Sequence, residues 1–202
     1  MIEVFRGKAK DPKDALRATL ATGYLIGKFA VDSPEGVAYP GNPLILITHA
    51  HCDHVCGLNT HNLDYACSGF CAKAIEGSIE SALLCSHLGL SPPRRPPREV
   101  LSEGQVLESE GFSIEVIETP GHAEGALCFY IREHKALFSG DTVFGEGFLP
   151  SLSLPTSSKE ALLESYEKLS NYEIRKIYPG HGSPFEAEGY IRSLIPIAKE
   201  FI

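Results

Sequence analysis

No stretch of about 18 consecutive apolar residues occurs in this chain, so no membrane-spanning helix is expected. Met1–Lys13 contains no continuous apolar segment, so no secretory signal is expected either. Basic residues are scarce. Eighteen Lys and Arg stand against 26 Asp and Glu, a formal net charge of −8. Proteins that track a phosphate backbone usually carry a basic patch, so nucleic acid is not an expected partner. The one cationic cluster, Arg94-Arg95-Pro96-Pro97-Arg98, is short and Pro-rich and reads as a solvated loop. Internal repeats, low-complexity tracts and obvious linkers are also missing. With 202 residues the chain is therefore expected to form a single domain over residues 1–202. None of the six cysteines forms a Cys-x-x-Cys pair. Cys52/Cys56 and Cys67/Cys71 are spaced i, i+4, which leaves a second metal site open without the spacing of common zinc modules. Without a secretory signal, the cysteines read as free thiols buried in a cytoplasmic protein. A disulfide is the minority alternative, suited to a hyperthermophile.

What is present is enough for a core: 43% of residues are apolar and 22% charged, the balance of a folded domain. Leu20–Ile26 and Phe29–Asp32 read as strands around a Gly27-Lys28 turn. Leu44-Ile45-Leu46-Ile47 reads as a strand buried on both faces. Apolar residues spaced three or four apart predict a helix over 70–88, ended by Ser91-Pro92-Pro93. Strands are expected at Phe112–Glu118, Ala126–Arg132, Ala136–Ser139 and Ile174–Tyr178. Ser157 with Glu160 forms a capping box for a helix to about Leu169, and Pro184–Ile202 reads as a helix interrupted at Pro196. Strands and helices mixed in this way predict a layered α/β architecture.

The chemistry sits just after the strands. Thr48-His49-Ala50-His51-Cys52-Asp53-His54 follows the buried run and offers three imidazoles and a carboxylate. Imidazole and carboxylate suit Zn, Fe or Mn, and His49 and His51 point the same way from an extended backbone. Alone, this segment could also be a polar turn or helix start. Three more turns share its context: Thr119-Pro120-Gly121-His122, Ser139-Gly140-Asp141-Thr142 and Tyr178-Pro179-Gly180-His181-Gly182. In each, a glycine turns the backbone and one ligand-type residue follows. Four such sites are hard to explain as turns.

Taken together, these motifs over residues 20–183 resemble the metallo-β-lactamase-fold superfamily, on its glyoxalase II-like side. The resemblance implies a four-layer αββα sandwich with two divalent ions at one edge. It implies that His49, His51 and His122 bind one ion, that Asp53, His54 and His181 bind the other, and that Asp141 bridges them. Zinc is the expected metal, with iron or manganese as alternatives. Asp32 resembles the family aspartate that orients the ligands, and also reads as a plain turn residue before Ser33-Pro34. Two features depart from the pattern. Residues 33–47 form a short connection, and Cys56 stands where relatives have the first glycine of a pair.

The implied activity is hydrolysis of a small ester, thioester or lactone by a metal-bridging hydroxide, with Asp53 orienting the nucleophile. Cys52 and Cys56 are available as nucleophiles, but that chemistry does not need them. Residues 182–202 leave room for one interrupted helix, so a glutathione-binding region is not expected. The alternatives are an iron-dependent persulfide dioxygenase using His49, His122 and Asp141, an endoribonuclease of the same fold, and a non-enzymatic scaffold. Phe144, Phe148, Leu149 and Leu152 read equally as an apolar substrate wall or as core cover. His61, His87 and His134 carry no motif and are not expected to bind metal. A small-molecule substrate and a homodimer complete the expectation.

Overall fold

The computed structural model describes residues 1–7 and 21–201. Leu20, part of Met1–Lys13 and Ile202, on which three of the expectations above fall, lie outside the described residues. The chain forms two compact units, Met1–Leu101 and Ser102–Ile202. Each is built on a six-stranded sheet with helices.

In the first unit the strands lie in chain order: β1 (Ile2–Arg6), β2 (Thr22–Ile26), β3 (Phe29–Val31), β4 (Leu44–Leu46), β5 (Tyr65–Ser68) and β6 (Glu99–Leu101). The first three pair antiparallel, and β3 to β6 pair in parallel. The β2–β3 turn falls at Gly27, whose φ of 56° a side chain would disfavour. Ile45, Ile47, Tyr65 and Cys67 of the sheet region pack with Val55, Leu58, Cys71, Ala74 and Ile75 from the helices, all buried.

The single helix expected over 70–88 is three short pieces: α2 (Gly69–Glu76), a 3-10 turn (Glu80–Leu83) and α3 (Cys85–Leu88), with α1 (Cys52–Val55) earlier in the chain. Ser68 Oγ caps α2 by accepting from Cys71 N, and Gly77, at φ 101°, ends it in a left-handed C-cap. Leu84, at φ 56°, breaks the next turn. The three- and four-residue apolar spacing survives these breaks because each piece still turns one face to the same core.

The cysteine reading is corrected for one pair. Cys52 and Cys85 are disulfide-bonded across 33 residues, with Cα atoms 5.0 Å apart. Neither i, i+4 pair is bonded within itself, because the bridge joins Cys52 of α1 to Cys85 of α3. Cys56, Cys67, Cys71 and Cys128 are free and buried. A hydrogen bond to Cys67, then burial, holds the Cys71 thiol well above its ordinary range. For this pair the disulfide alternative holds, and the expectation of six free thiols does not. The arginine cluster is also more than a solvated loop. Arg94 binds Ile75 O and Glu80, Arg95 reaches Leu63 O and lies over the Tyr65 ring, and Arg98 pairs with Asp64.

The second unit runs β7 (Val106–Ser109), β8 (Phe112–Glu118), β9 (Leu127–Ile131), β10 (Ala136–Gly140), α4 (Lys159–Leu169), β11 (Lys176–Pro179), β12 (Phe185–Glu186) and α5 (Tyr190–Phe201). Its sheet order is β12-β11-β10-β9-β8-β7, antiparallel except for β10–β11. Leu162, Tyr166 and Leu169 of α4 and Ile191, Leu194 and Ala198 of α5 bury against Ile117, Tyr130, Leu137 and Ile177.

The expected capping box shifts by one residue. Ser158, not Ser157, caps α4, accepting from Ala161 N, while Ser157 Oγ donates to His122 O. α5 begins six residues later than the expected Pro184 and runs through Pro196 without interruption. Burial of Leu194 and Ala198 on either side outweighs the roughly 3 kcal/mol cost of an interior proline. Among the described residues, no helix is long and apolar enough to cross a membrane.

Peptide mapping without reductant is expected to recover Cys52 linked to Cys85. Cys85→Ser is expected to lower unfolding free energy by about 2–4 kcal/mol in urea titrations, given the loop the bridge closes. Equal stability of the variant and the oxidised protein would remove the bridge from the structure.

Candidate metal centre

In the first unit the ligand-type residues leave the core where two parallel strands end. β3 runs into Asp32 and β4 into Thr48-His49, and Asp32 N donates to Leu46 O at 2.9 Å. Asp32 adopts φ 59°, a left-handed backbone uncommon outside glycine but tolerated by aspartate. That turn brings its carboxylate back along the neighbouring strand. Oδ1 accepts from Thr48 N at 2.8 Å, and Thr48 Oγ1 donates to the same carboxylate. Oδ2 accepts from His54 Nδ1 at 2.7 Å. Tyr39 Oη donates to Asp32 O at 2.7 Å, and burial, then the Asp32 charge, holds the Tyr39 hydroxyl protonated well above its usual range. The aspartate is therefore an orienting residue rather than a plain turn.

These bonds fix the tautomers of the His49 and His54 rings. The Thr48 hydroxyl proton is directed at Asp32, so its oxygen accepts from His49 Nδ1 at 3.0 Å. His49 Nε2 is left with its lone pair, 3.0 Å from His51 Nδ1. His54 donates through Nδ1, which leaves Nε2 as its ligand atom, and Asp53 lies 3.8 Å from that nitrogen. The ligand atoms of His49 and His51, of His49 and His54, and of Asp53 and His54 each lie within 4.8 Å. His49, His51 and His54 are buried, while Asp53 is partly exposed. The α1 turn is locked to the β3 loop by Ser33 N to His54 O and Gly57 N to Ser33 O, both 2.7 Å. A Cβ on Gly57 would stand 2.5 Å from Pro34 O, so only glycine fits.

In the second unit three turns carry one ligand-type residue each. Gly121 has φ 146°, and a Cβ there would stand 2.5 Å from the Leu162 backbone, so the Pro-Gly-His turn can seat directly on α4. His122 Nδ1 donates to Ser151 O at 3.0 Å, which makes Nε2 the ring nitrogen that carries the lone pair. Gly180 N donates to Gly140 O at 2.8 Å where β10 and β11 end, and this places Asp141 and His181 side by side. Asp141 Oδ2 lies 3.5 Å from His122 Nε2 and 3.5 Å from His181 Nε2. That is long for a strong hydrogen bond. It matches the separation of about 3.4 Å between two donors each about 2.1 Å from a tetrahedral ion. Thr119 and Thr142, 3.2 Å apart through their hydroxyls, tie the ends of β8 and β10.

The donor set fits divalent metal in both units. Imidazole nitrogens and carboxylate oxygens sit together, and the other nitrogen of His49, His54 and His122 is held by a fixed oxygen, as is usual for ligating histidines. All seven expected ligands lie in these two sets. Sequence reasoning gave no role to Thr48, Tyr39 or Ser151, and read Ser157 as a helix cap rather than as the donor to His122 O. Ser151 bonds through its backbone carbonyl, which any residue offers, and the Thr48 hydroxyl bonds to partners that only the fold brings to it. Ser33 Oγ holds the His61 ring at 2.9 Å, while His87 and His134 are exposed. Neither cysteine of the first motif suits nucleophilic attack. Cys52 is bridged, and burial, then Glu35 and Asp53, pushes the Cys56 thiol up to about 12. Leu149 and Leu152 cover the second unit's core, whereas Phe148 is exposed.

Residues 43–181 match the family model described as metallo-beta-lactamase superfamily. Over 187 residues the chain is 30% identical to acyl-coenzyme A thioesterase MBLAC2 of Gallus gallus, a match covering 84% of this chain and 66% of that protein. Over 91 residues it is 34% identical to the atrochrysone carboxyl ACP thioesterase of Aspergillus fumigatus, covering 45% of this chain and 27% of the relative. The chain thus spans less than two thirds of the length of these curated relatives. Among solved structures it is similar to TTHA1623 in a di-iron-bound form, with TM-score 0.68 and 26% identity, covering 98% of this chain and 100% of that one.

Replacing Asp32 with Asn is expected to weaken zinc affinity about 10- to 100-fold, since it disturbs the partner of two ligand histidines. Competition with a chromophoric chelator measures this, and an unchanged affinity would contradict the orienting role.

Proposed function

The chain belongs to the metallo-beta-lactamase superfamily, and from that premise we propose that it is a metal-dependent hydrolase of acyl thioesters. His49, His51 and His122 are proposed to hold one ion, Asp53, His54 and His181 a second, and Asp141 both. Support comes from the matched family region, which contains all seven residues and reaches into both units. The two units are accordingly proposed to work as one catalytic domain. Zinc, iron and manganese all suit these donors, and the di-iron form of the similar structure argues for measuring the metal rather than assuming zinc.

Bound divalent metal would supply Lewis acidity to the thioester carbonyl and lower the pKa of water from about 16 to about 7. The chain's own residues then do three things. The Asp32–Thr48 relay keeps the His49 and His54 rings oriented by holding each at Nδ1. The Ser151 carbonyl does the same for His122. Asp53, the most exposed first-unit ligand, accepts a hydrogen bond from the attacking water through a carboxylate oxygen and so directs its lone pair at the carbonyl.

One chemical feature carries the choice of thioester, together with the thioesterase names of two relatives. The seven proposed site residues are imidazoles committed as ligands and carboxylates. None is a spare acid to protonate a departing group. A thiol has a pKa near 8.5 and leaves as thiolate without such an acid, whereas an amine does not. Phe148, exposed in the loop after β10, is proposed to meet the apolar acyl chain. A homodimer is proposed as the assembly.

Protein stripped with chelator is expected to lose acyl-CoA thioester hydrolysis by more than about 100-fold and to regain it with Zn or Fe, read as free thiol release. A fully metallated preparation that turns over no acyl thioester would sink the proposal.

A further inference from the structure

The loop that follows Asp141 is held in an unusual way. Gly145–Phe148 forms a tight turn closed by Phe148 N donating to Gly145 O at 3.2 Å, with both central residues left-handed: Glu146 at φ 58° and Gly147 at φ 76°. Glycine adopts that backbone freely, but glutamate there costs roughly 1 kcal/mol and persists only where the surroundings hold it. The holding group is Tyr190, the first residue of α5. Its hydroxyl donates to Phe144 O and accepts from Gly147 N, each at 2.7 Å, so one oxygen pins the backbone on both sides of the turn. The Tyr190 ring is itself fixed edge-on against Phe185, centroids 5.1 Å apart, and Phe185 also lies under Gly145.

The two ends of the pinned segment touch two of the proposed ligands. At one end the Phe144 ring lies 6.3 Å from the His181 ring. At the other, Ser151 O accepts the Nδ1 proton of His122 at 3.0 Å. Between them Leu149 packs onto the second unit's core.

We propose that Tyr190 is a positioning residue for the second unit's metal ligands, acting through the 144–151 loop on His122 and His181. This rests on the reading of those histidines as ligands. It gives α5 a role in metal affinity that no sequence motif marks.

Tyr190→Phe keeps the ring against Phe185 and removes only the hydroxyl. Tyr172→Phe is the control. It deletes a hydroxyl that donates to Glu115 in the same unit and touches no ligand. Two readouts are needed beside a melting curve. In metal-free protein the His122 Nδ1 proton, sheltered by Ser151 O, is followed by NMR as an imidazole resonance slow to exchange. In chelator competition, zinc affinity is measured for both variants. The expected result for Tyr190→Phe is loss or fast exchange of that resonance and about tenfold weaker zinc binding, the lower end for an outlying partner of a ligand. Tyr172→Phe is expected to match wild type in both. Either readout unchanged in Tyr190→Phe, or an equal change in Tyr172→Phe, overturns the proposal. Wild-type protein with no affinity for zinc, iron or manganese overturns the ligand reading itself, and this proposal with it.

Discussion

A metal-ligating imidazole almost always donates its other N–H to a fixed acceptor, and the buried rings of His49, His54 and His122 are hydrogen-bonded in just that way. In the first unit one carboxylate holds two of these rings. Asp32 accepts directly from His54 and, through the Thr48 hydroxyl, fixes His49. A buried carboxylate left without donors would cost several kcal/mol. Here it gathers bonds from a backbone amide, a hydroxyl and a ring. The left-handed backbone at Asp32 follows from the same need. Glycine would adopt that turn without strain but has no carboxylate to return to Thr48. The second unit solves the problem differently, with the Ser151 carbonyl as the acceptor for His122. A carbonyl cannot donate, so it fixes the tautomer as firmly as a carboxylate does while adding no negative charge beside Asp141.

The ligand turns are legible in sequence because the chemistry must be written in side chains. The turns that carry His49, His51, Asp53, His54, His122, Asp141 and His181 each follow a run that looks like a strand, and the structure places a strand there each time. The glycines beside them are legible for a related reason: Gly121 stands where Leu162 leaves no room for a Cβ. The strands found in advance are the long or strongly apolar ones, Phe112–Glu118 and Leu44–Leu46 among them. Those not found are β1, β5, β6, β7 and β12. Tyr65-Ala66-Cys67-Ser68 is fully buried yet built mostly from small residues without strand preference. β6 and β12, three and two residues long, exist only because a neighbour offers a ladder.

The partners that hold the ligands are far less legible. Ser151 acts through its backbone, Tyr190 through a hydroxyl 39 residues beyond it in the chain, and neither carries a pattern. The Cys52–Cys85 bridge was hidden by its spacing. Cysteines four apart draw attention, while the bonded pair is 33 apart and meets only because α1 and α3 pack together. A helix break such as Leu84 is similarly silent, since leucine rarely adopts φ 56° and does so here where the chain turns into α3.

These features divide the work between parts of the chain. The ligand turns sit on strand ends with buried partners and single-choice glycines, and such positions tolerate little change. The 144–153 loop shares their rigidity at its base, through Tyr190 and His122, yet its tip presents Phe148 to solvent at 65% exposure. Burying a phenylalanine contributes about 1.5–3 kcal/mol, so a residue left out on a firmly held loop is positioned to gain that energy from a ligand. In the proposed reading, substrate choice could vary at the tip of this loop without disturbing the base that orients His122, so one loop would serve both the metal and the acyl group.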